Sequence, residues 1–353
     1  MRERISYIDA LRGLAVIFMV QQHLQGWFWR EEWISYALEF PRHPVMVLLN
    51  FCGNFAAPLF ILLAGMSVSL MAGSAAPPVR IMLKRGLFIM GAGYMLNLVS
   101  PHWFGPASWY VLHLLGLSIM MSPLLLRLPS AALAVLGFAV IMAAPFFQMW
   151  LDTPLLMGNR FMNDAGRPGW IFRLALFEGH FPVFPWLSFF MAGILVQRNI
   201  SARRAGSNIL MALACLALGF FMVYLYRYGY AFATRGSFYR IFIFLPYIYP
   251  ALPALIFLLL GTGLSAVAAG RAFSLSLPAL EALGRTSLTW FVAHIIIFNE
   301  LFRMMGLSRS MDAAGTLALT ALALGAMIFL SLLWRRAAYR WSLEWLMRRI
   351  TGG

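Results

Sequence analysis

Three ionisable side chains, Asp9, Arg12 and His23, stand in the first apolar stretch of the chain. Each would cost several kcal/mol in hydrocarbon unless paired or wetted. On a helix, Asp9 and Arg12 are three residues apart and can pair on one face. Arg12 and His23 are eleven apart, three helical turns, so they share a face about 16 Å apart. An imidazole so placed suits a general base, because its proton equilibrium lies near neutrality, and attack of an amine or hydroxyl on a thioester needs such a base. The plainer reading is that Asp9 and Arg12 anchor the helix at one interface and His23 sits at the other. Gly13, beside Arg12, permits close approach of a helix or a ligand.

Other groups extend this polar theme. His113 and His180 fall at predicted outer ends of apolar segments, so they could converge with His23 on one cavity, although each alone reads as structural. His294 lies about 15 Å into its span from Gly284, where an ionisable group faces a cavity or a partner, and Asn299 and Glu300 follow it. Arg80, Lys84 and Arg85 put three cations at the start of one span. They could hold a phosphorylated ligand, and topology alone also accounts for them. No pair of histidines has metal-ligand spacing, so no metal is expected. Cys52 and Cys215 lie in apolar stretches far apart, without a base or cation that would make a nucleophile, and read as core residues. No phosphate-binding loop, dinucleotide fingerprint or nucleophile elbow appears. Direct acyl transfer assisted by a histidine is the simplest chemistry left.

The elements that must position these groups are membrane helices. Of 353 residues, 62% are hydrophobic and 11% charged, with mean hydropathy +0.79, too little polar surface for a water-soluble globule of this size. Apolar runs recur at the length of about 20 residues that crosses a bilayer core as helix, and they lack the short alternation of a membrane barrel. The chain therefore reads as all-α and polytopic, with about ten transmembrane helices near 5–26, 45–72, 82–100, 108–126, 130–150, 182–197, 206–226, 241–266, 285–305 and 313–334. With the N-terminus inside, sixteen of the 27 basic residues fall on the inner side and ten on the outer, which places both termini in the cytoplasm. This topology accounts for the net charge of +15 without nucleic acid. Asp9 and Arg12 break the first run, so it is retained as a helix and not cleaved as a signal peptide. Arg227, Arg235 and Arg240 sit on the predicted outside, where they could meet an anionic acceptor. The longest outer connection, 151–181, carries Asp152, Asn159, Arg160, Asn163, Asp164, Arg167, Arg173, Glu178 and His180. Residues 1–353 read as one domain, with 335–353 a basic amphipathic cytoplasmic tail lying on membrane lipids.

Ile8-Asp9-Ala10-Leu11-Arg12-Gly13-Leu14-Ala15, followed by His23, resembles the opening of the transmembrane acyltransferases related to heparan-alpha-glucosaminide N-acetyltransferase. Pro58 to Ser67, Val111 to Ser118, Phe184-Pro185-Trp186-Leu187 with Gly193, and Leu283 to Leu288 with His294 resemble further blocks of that family, in order along most of the chain. The Arg12 to His23 spacing is also similar to a motif of the O-acyltransferases that modify bacterial surface sugars. The resemblance implies an acyl donor, acetyl-CoA, bound from the cytoplasm, and an acceptor amino or hydroxyl group of a glycan on the other side. On this reading His23, Arg12, Asp9, His113 and His180 are the catalytic candidates, and Arg80, Lys84, Arg85, Arg285 and His294 the donor-binding ones. In the lysosomal branch the position of His23 resembles an asparagine with a later histidine, whereas here the following loop offers only His43. Arginine at 26 of 27 basic positions and the short chain point to a bacterial inner membrane and a cell-envelope or exported glycan; whether the chain forms a homodimer is left open by the sequence. The competing class is a transporter or flippase using the same polar helices as a path; it would be expected to show inverted repeats, and none is visible.

Overall fold

The computed structural model describes residues 5–30, 43–73, 79–153, 169–229 and 252–352. The helices in order are α1 (Ser6–Phe28), α2 (Pro44–Gly53), α3 (Ala56–Ala72), α4 (Val79–Val99), α5 (Val111–Leu125), α6 (Ser130–Trp150), α7 (Trp170–Arg173), α8 (Val183–Ser201), α9 (Ala205–Arg227), α10 (Leu252–Ala272), α11 (Pro278–Arg285), α12 (Ser287–His294), α13 (Ala313–Arg336) and α14 (Leu343–Thr351). A π-helical turn extends α7 through Leu174–Glu178, and another extends α12 through Ile295–Leu301 into a last α-helical turn, Phe302–Met304. Among the described residues there is no strand, only a bridge between Trp29 and Met311.

Local sequence sets many of the helix ends. Pro44 and Pro278 open α2 and α11 at first-turn positions that lack a hydrogen-bonding duty for their missing N–H. Asp312 caps α13 by accepting from the Gly315 amide at 2.8 Å. Among the described residues, six helical stretches are long and apolar enough to cross a membrane: Pro44–Ala72, Ser130–Trp150, Val183–Ser201, Ala205–Tyr226, Leu252–Ala272 and Ala313–Arg336. Their outward side chains include exposed Leu210, Phe220, Phe221, Leu322 and Phe329, an apolar surface suited to lipid. The other four predicted spans are also helical, but α1 and α4 carry charges and α5 is a shorter apolar helix.

The predicted span 285–305 is not one continuous helix. Thr286 leaves helical geometry at φ −116°, ψ 23°, separating α11 from α12. Its hydroxyl bonds the carbonyls of Ala282 and Leu283 at 3.1 and 3.2 Å and meets Ser331 Oγ at 3.2 Å. The break exposes amides at the start of α12, and these are taken by the tail: the Glu344 carboxylate accepts from the amides of Leu288 and Thr289 at 2.6 and 3.3 Å and from the Thr289 hydroxyl at 2.6 Å. The tail helix therefore has an acidic anchor on protein in addition to its basic face.

The described residues fall into two compact units. One, within Met1–Phe60 and Ala269–Ile350, has α1 at its centre, packed on α2, α11, α12 and α13. The α1–α11 crossing is tight because it uses glycines on both sides: a Cβ on Gly13 would overlap the Leu280 carbonyl, and a Cβ on Gly284 would overlap the Asp9 carbonyl. At its far end α1 is tied to the chain after α12 by Arg309 N donating to Trp27 O at 2.8 Å, Met311 N to Phe28 O at 3.0 Å and Arg30 N to Met311 O at 2.8 Å. In the other unit, within Ile61–Arg240, Ile248–Ala268 and Thr351–Gly353, α4 packs on α5 and α8 on α6. There Gly65 of α3 faces the Phe190 carbonyl of α8, and Gly193 of α8 faces the Leu62 carbonyl of α3.

Candidate active site

The Asp9 end of α1 holds an ion cluster. Asp9, with only 7% of its side chain exposed, receives Arg12 Nη1 on Oδ1 at 3.1 Å and Arg285 Nε on Oδ2 at 3.2 Å. Arg285 also reaches Glu281 at 3.8 Å and lies over the Tyr339 ring, 6.0 Å from its centroid. Asp9 and Arg12 pair as their spacing predicts, and the structure adds Arg285, which arrives because Gly284 lets α11 approach the backbone of α1.

Farther along the same helices, Nδ1 of His23 lies 2.9 Å from Nε2 of His294, with the imidazole planes nearly parallel at an interplanar angle of 13°. Nδ1 of His294 lies 2.9 Å from the Trp290 carbonyl oxygen. A carbonyl can only accept, so Nδ1 of His294 carries its proton and Nε2 is the acceptor for His23 Nδ1–H. Assigned from this bonding chain, the lone pair of His23 lies on Nε2. Trp27 packs against both imidazoles, with centroids at 5.2 and 5.7 Å, and Phe291 meets His294 edge-on. His294 is fully buried while His23 keeps partial exposure. The helix widens to the π form at Ile295, directly after His294, a distortion often found at functional sites. The partner expected for His294 at mid-span is thus His23. Asn299 and Glu300, both buried, continue into a pair with Arg303 at 3.1 Å.

A polar rib lines the α2 side of α1. Gln21 Nε2 donates to the Leu49 carbonyl at 2.6 Å, Gln25 Nε2 to Gln21 Oε1 at 2.7 Å, and Gln22 Nε2 to Asn54 Oδ1 at 3.0 Å. It fixes the rotation of α1 about its axis, and hence where His23 points.

His113 and His180 belong to the second unit, where the structure brings them together at Trp109. His113 is completely buried; its Nδ1 accepts from the Tyr110 amide at 3.3 Å, and its ring is enclosed by Tyr94, Trp109 and Tyr110 at 4.3, 5.4 and 4.5 Å. The His180 amide donates to the Trp109 carbonyl at 3.0 Å, and burial pushes the His180 imidazole down to about 4. Near it, Glu178 is clamped: Arg173 donates to both carboxylate oxygens at 2.8 and 2.6 Å, Thr153 adds a bond of 2.5 Å, and Arg173 also holds the Leu151 carbonyl at 2.8 Å. The hydrogen bonds that Arg173 donates to Glu178 hold its guanidinium above its usual range.

Among the donor-binding candidates, Arg80 and Lys84 are exposed on α4. Arg85 points Nη1 at Met71 Sδ, 2.9 Å away, and Nε at Thr351 Oγ1, 3.4 Å away. Arg285 and His294 belong to the other unit, in the contacts described above. Cys52 and Cys215 are both free thiols and only half-buried, less enclosed than their apolar surroundings in sequence suggest. The side chain of Arg227, all of Arg235 and Arg240, and the loop residues Asn159 to Arg167 lie outside the described residues. Among those described, no cluster of three or more His, Cys, Asp or Glu could hold a metal. Sequence reasoning missed Trp27, Glu281, Tyr339 and Glu344; of these, Glu344 alone gave a signal, as the single carboxylate within the basic amphipathic segment 335–353.

Fold and site together define an integral membrane protein of the polytopic helical class, with ionisable side chains gathered on its first helix. Residues 4–210 match the family described as Heparan-alpha-glucosaminide N-acetyltransferase, catalytic. This is more than half of the chain, and the chain belongs to that family. Residues 191–353 match a second family, described as Protein of unknown function (DUF418). No curated protein matches the chain. His23 and Asp9 fall in the first match, and their partners His294 and Arg285 in the second. The similarity to the surface-sugar O-acyltransferases rests on the Arg12 to His23 spacing alone.

Proposed function

We propose that this protein is a transmembrane acetyltransferase that takes an acetyl group from cytoplasmic acetyl-CoA and passes it to an amino or hydroxyl group of an extracytoplasmic glycan, with His23 as general base. The observation that carries this reading is the chain from the Trp290 carbonyl through His294 to His23, which directs the basic lone pair of His23 to Nε2. The acceptor N–H or O–H gives its proton to that nitrogen as its own lone pair attacks the thioester carbonyl. The new bond to the acyl carbon forms, the C–S bond breaks, and the thiolate of CoA leaves and takes the proton from the imidazolium. While His23 is cationic, its Nδ1–H bond to His294 becomes charge-assisted and stronger. Membership of the acetyltransferase family supports the same chemistry.

Ten spans with both ends in the cytoplasm, forming one catalytic domain over 1–353, complete the proposal. Its support is the course of α1 and α11–α12: Asp9 meets Gly284 and His23 meets His294, so the first and ninth spans run in the same direction, as odd-numbered spans must. The basic excess on the inner side and the arginine-rich composition favour a bacterial inner membrane, with a cell-envelope or exported glycan as acceptor.

The test is release of CoA thiol from acetyl-CoA by the purified full chain, with amino sugars and neutral hexoses as acceptors. Transfer that His23→Ala slows by about 10²–10⁴-fold, in a protein that unfolds at the wild-type temperature, is the expected result. Normal transfer by His23→Ala would remove His23 from the mechanism, and no acceptor-dependent release by the folded wild type would remove the activity.

A further inference from the structure

Two polar atoms near the Asp9 end of α1 stand outside the ion cluster. The hydroxyl of Tyr7 and Nη1 of Arg271 are buried and, among the described residues, neither has a hydrogen-bond partner. Tyr7 as a whole is only 9% exposed. They belong to one place. Gly270 lets the end of α10 lie against α1, where a Cβ would stand 3.0 Å from Leu11 Cδ1, and Leu11 is one turn beyond Tyr7 on the same face. The Arg271 guanidinium is also near enough to act electrostatically on the Tyr7 hydroxyl. Arg12 and Arg285, each with about a quarter of its side chain exposed, lie on Asp9 in the next turn. Against these three guanidiniums stand the carboxylates of Asp9 and Glu281, which leaves one positive charge in excess.

Buried N–H and O–H groups in folded proteins almost always find an acceptor. Here the two donors are a guanidinium and a phenol, in a setting already richer in cations than anions. Guanidinium geometry matches the oxygens of a phosphate, which accept from several donors at once. A single water would satisfy one donor and leave the charge of Arg271 unbalanced.

We propose that Tyr7 and Arg271 form a phosphate-binding subsite, with Arg12 and Arg285 supplying the surrounding positive field. The natural source of the phosphate, on the acetyltransferase reading on which this part rests, is the acyl-CoA donor. Tyr7 and His23 are sixteen residues apart on one helix, about 24 Å along its axis, and a donor with phosphates at one end of a long arm and a thioester at the other spans such a gap. The phosphate of an anionic lipid headgroup offers the same chemistry from the membrane.

The experiment is calorimetry on the full chain in detergent with CoA, dephospho-CoA and inorganic pyrophosphate, and lipid capture from nanodiscs of phosphatidylglycerol against phosphatidylcholine. Wild type is compared with Arg271→Gln, Arg271→Lys and Tyr7→Phe, each checked for an unchanged unfolding temperature. The subsite requires CoA to bind at least about tenfold more weakly in Arg271→Gln, a loss of about 1.4 kcal/mol, with a smaller loss in Tyr7→Phe and partial recovery in Arg271→Lys. Selective phosphatidylglycerol capture that depends on Arg271, with no CoA binding, would keep the subsite, assign it to lipid and remove the acyl-CoA reading. CoA bound equally well by the wild type and by folded Arg271→Gln and Tyr7→Phe would overturn the subsite and leave the acetyltransferase standing. A folded wild type with no Arg271-dependent binding of any of these phosphates would also overturn it.

Discussion

Replacing His294 with Phe keeps the ring and its packing against Trp27 and removes both nitrogens. His23 then loses the acceptor that holds its proton on Nδ1, 2.9 Å away. In the resting enzyme that bond joins two neutral groups and contributes about 1 kcal/mol. During proton transfer His23 becomes an imidazolium, and a hydrogen bond to a charged group is worth about 1.5–3 kcal/mol. At 1.36 kcal/mol per decade of rate, losing it slows transfer by about ten- to a hundred-and-fifty-fold. His294→Gln, whose amide oxygen can accept, should fall between this variant and the wild type. Because His294 acts only through His23, His23→Ala combined with His294→Phe should be no slower than His23→Ala alone. The assay is acceptor-dependent thiol release under donor saturation, with thermal unfolding as the folding control. Transfer at the wild-type rate by folded His294→Phe, or losses that multiply in the double variant, would refute the histidine relay.

Three further outcomes follow from the geometry. Gly284→Ala forces a Cβ onto the Asp9 carbonyl and should cost about 1–3 kcal/mol, lowering the unfolding temperature, whereas Gly325→Ala, with nothing within 4 Å of the new Cβ, should be neutral or stabilising; equal effects would discount the close approach of α11. Glu344→Ala strips the start of α12 of its carboxylate acceptor, so it should destabilise by about 1–3 kcal/mol and make the tail more accessible to protease, and an unchanged tail would show that α14 is held by other contacts. His180 is held neutral by burial, its proton affinity in the fold down to about 4 from 6.5. The unfolded chain therefore binds the proton more readily, so stability is whole above pH 6.5 and falls by up to about 3 kcal/mol as pH drops toward 4. His180→Gln should flatten that fall in unfolding scans, and an identical pH profile would remove His180 as its source.

Much of this was legible in the residue order. Among the described residues, hydropathy marked the six stretches that are long and apolar enough to cross a membrane, and the run 130–150 coincides with α6, because a bilayer core demands uninterrupted apolar length whatever the packing. The charges of α1 declared themselves for the same reason, since an ionisable group in such a run is costly unless it is used. The Asp9–Arg12 pair needed only the helical repeat. The break at Thr286 was hidden: its cause is hydrogen bonding of a hydroxyl to Ser331 and of two amides to Glu344, partners 45 or more positions away.

Sequence by itself determined a helical membrane protein, the candidate residues on its first helix and the glycines beside them. Tertiary structure alone decided who meets whom. It paired His23 with His294 across 271 positions, brought Arg285 to Asp9 across 276, and put His113 in an aromatic enclosure. The reason is physical: periodicity fixes what one helix presents on each face, but the partner of that face depends on which glycines let two backbones approach, and that is settled only when the helices pack.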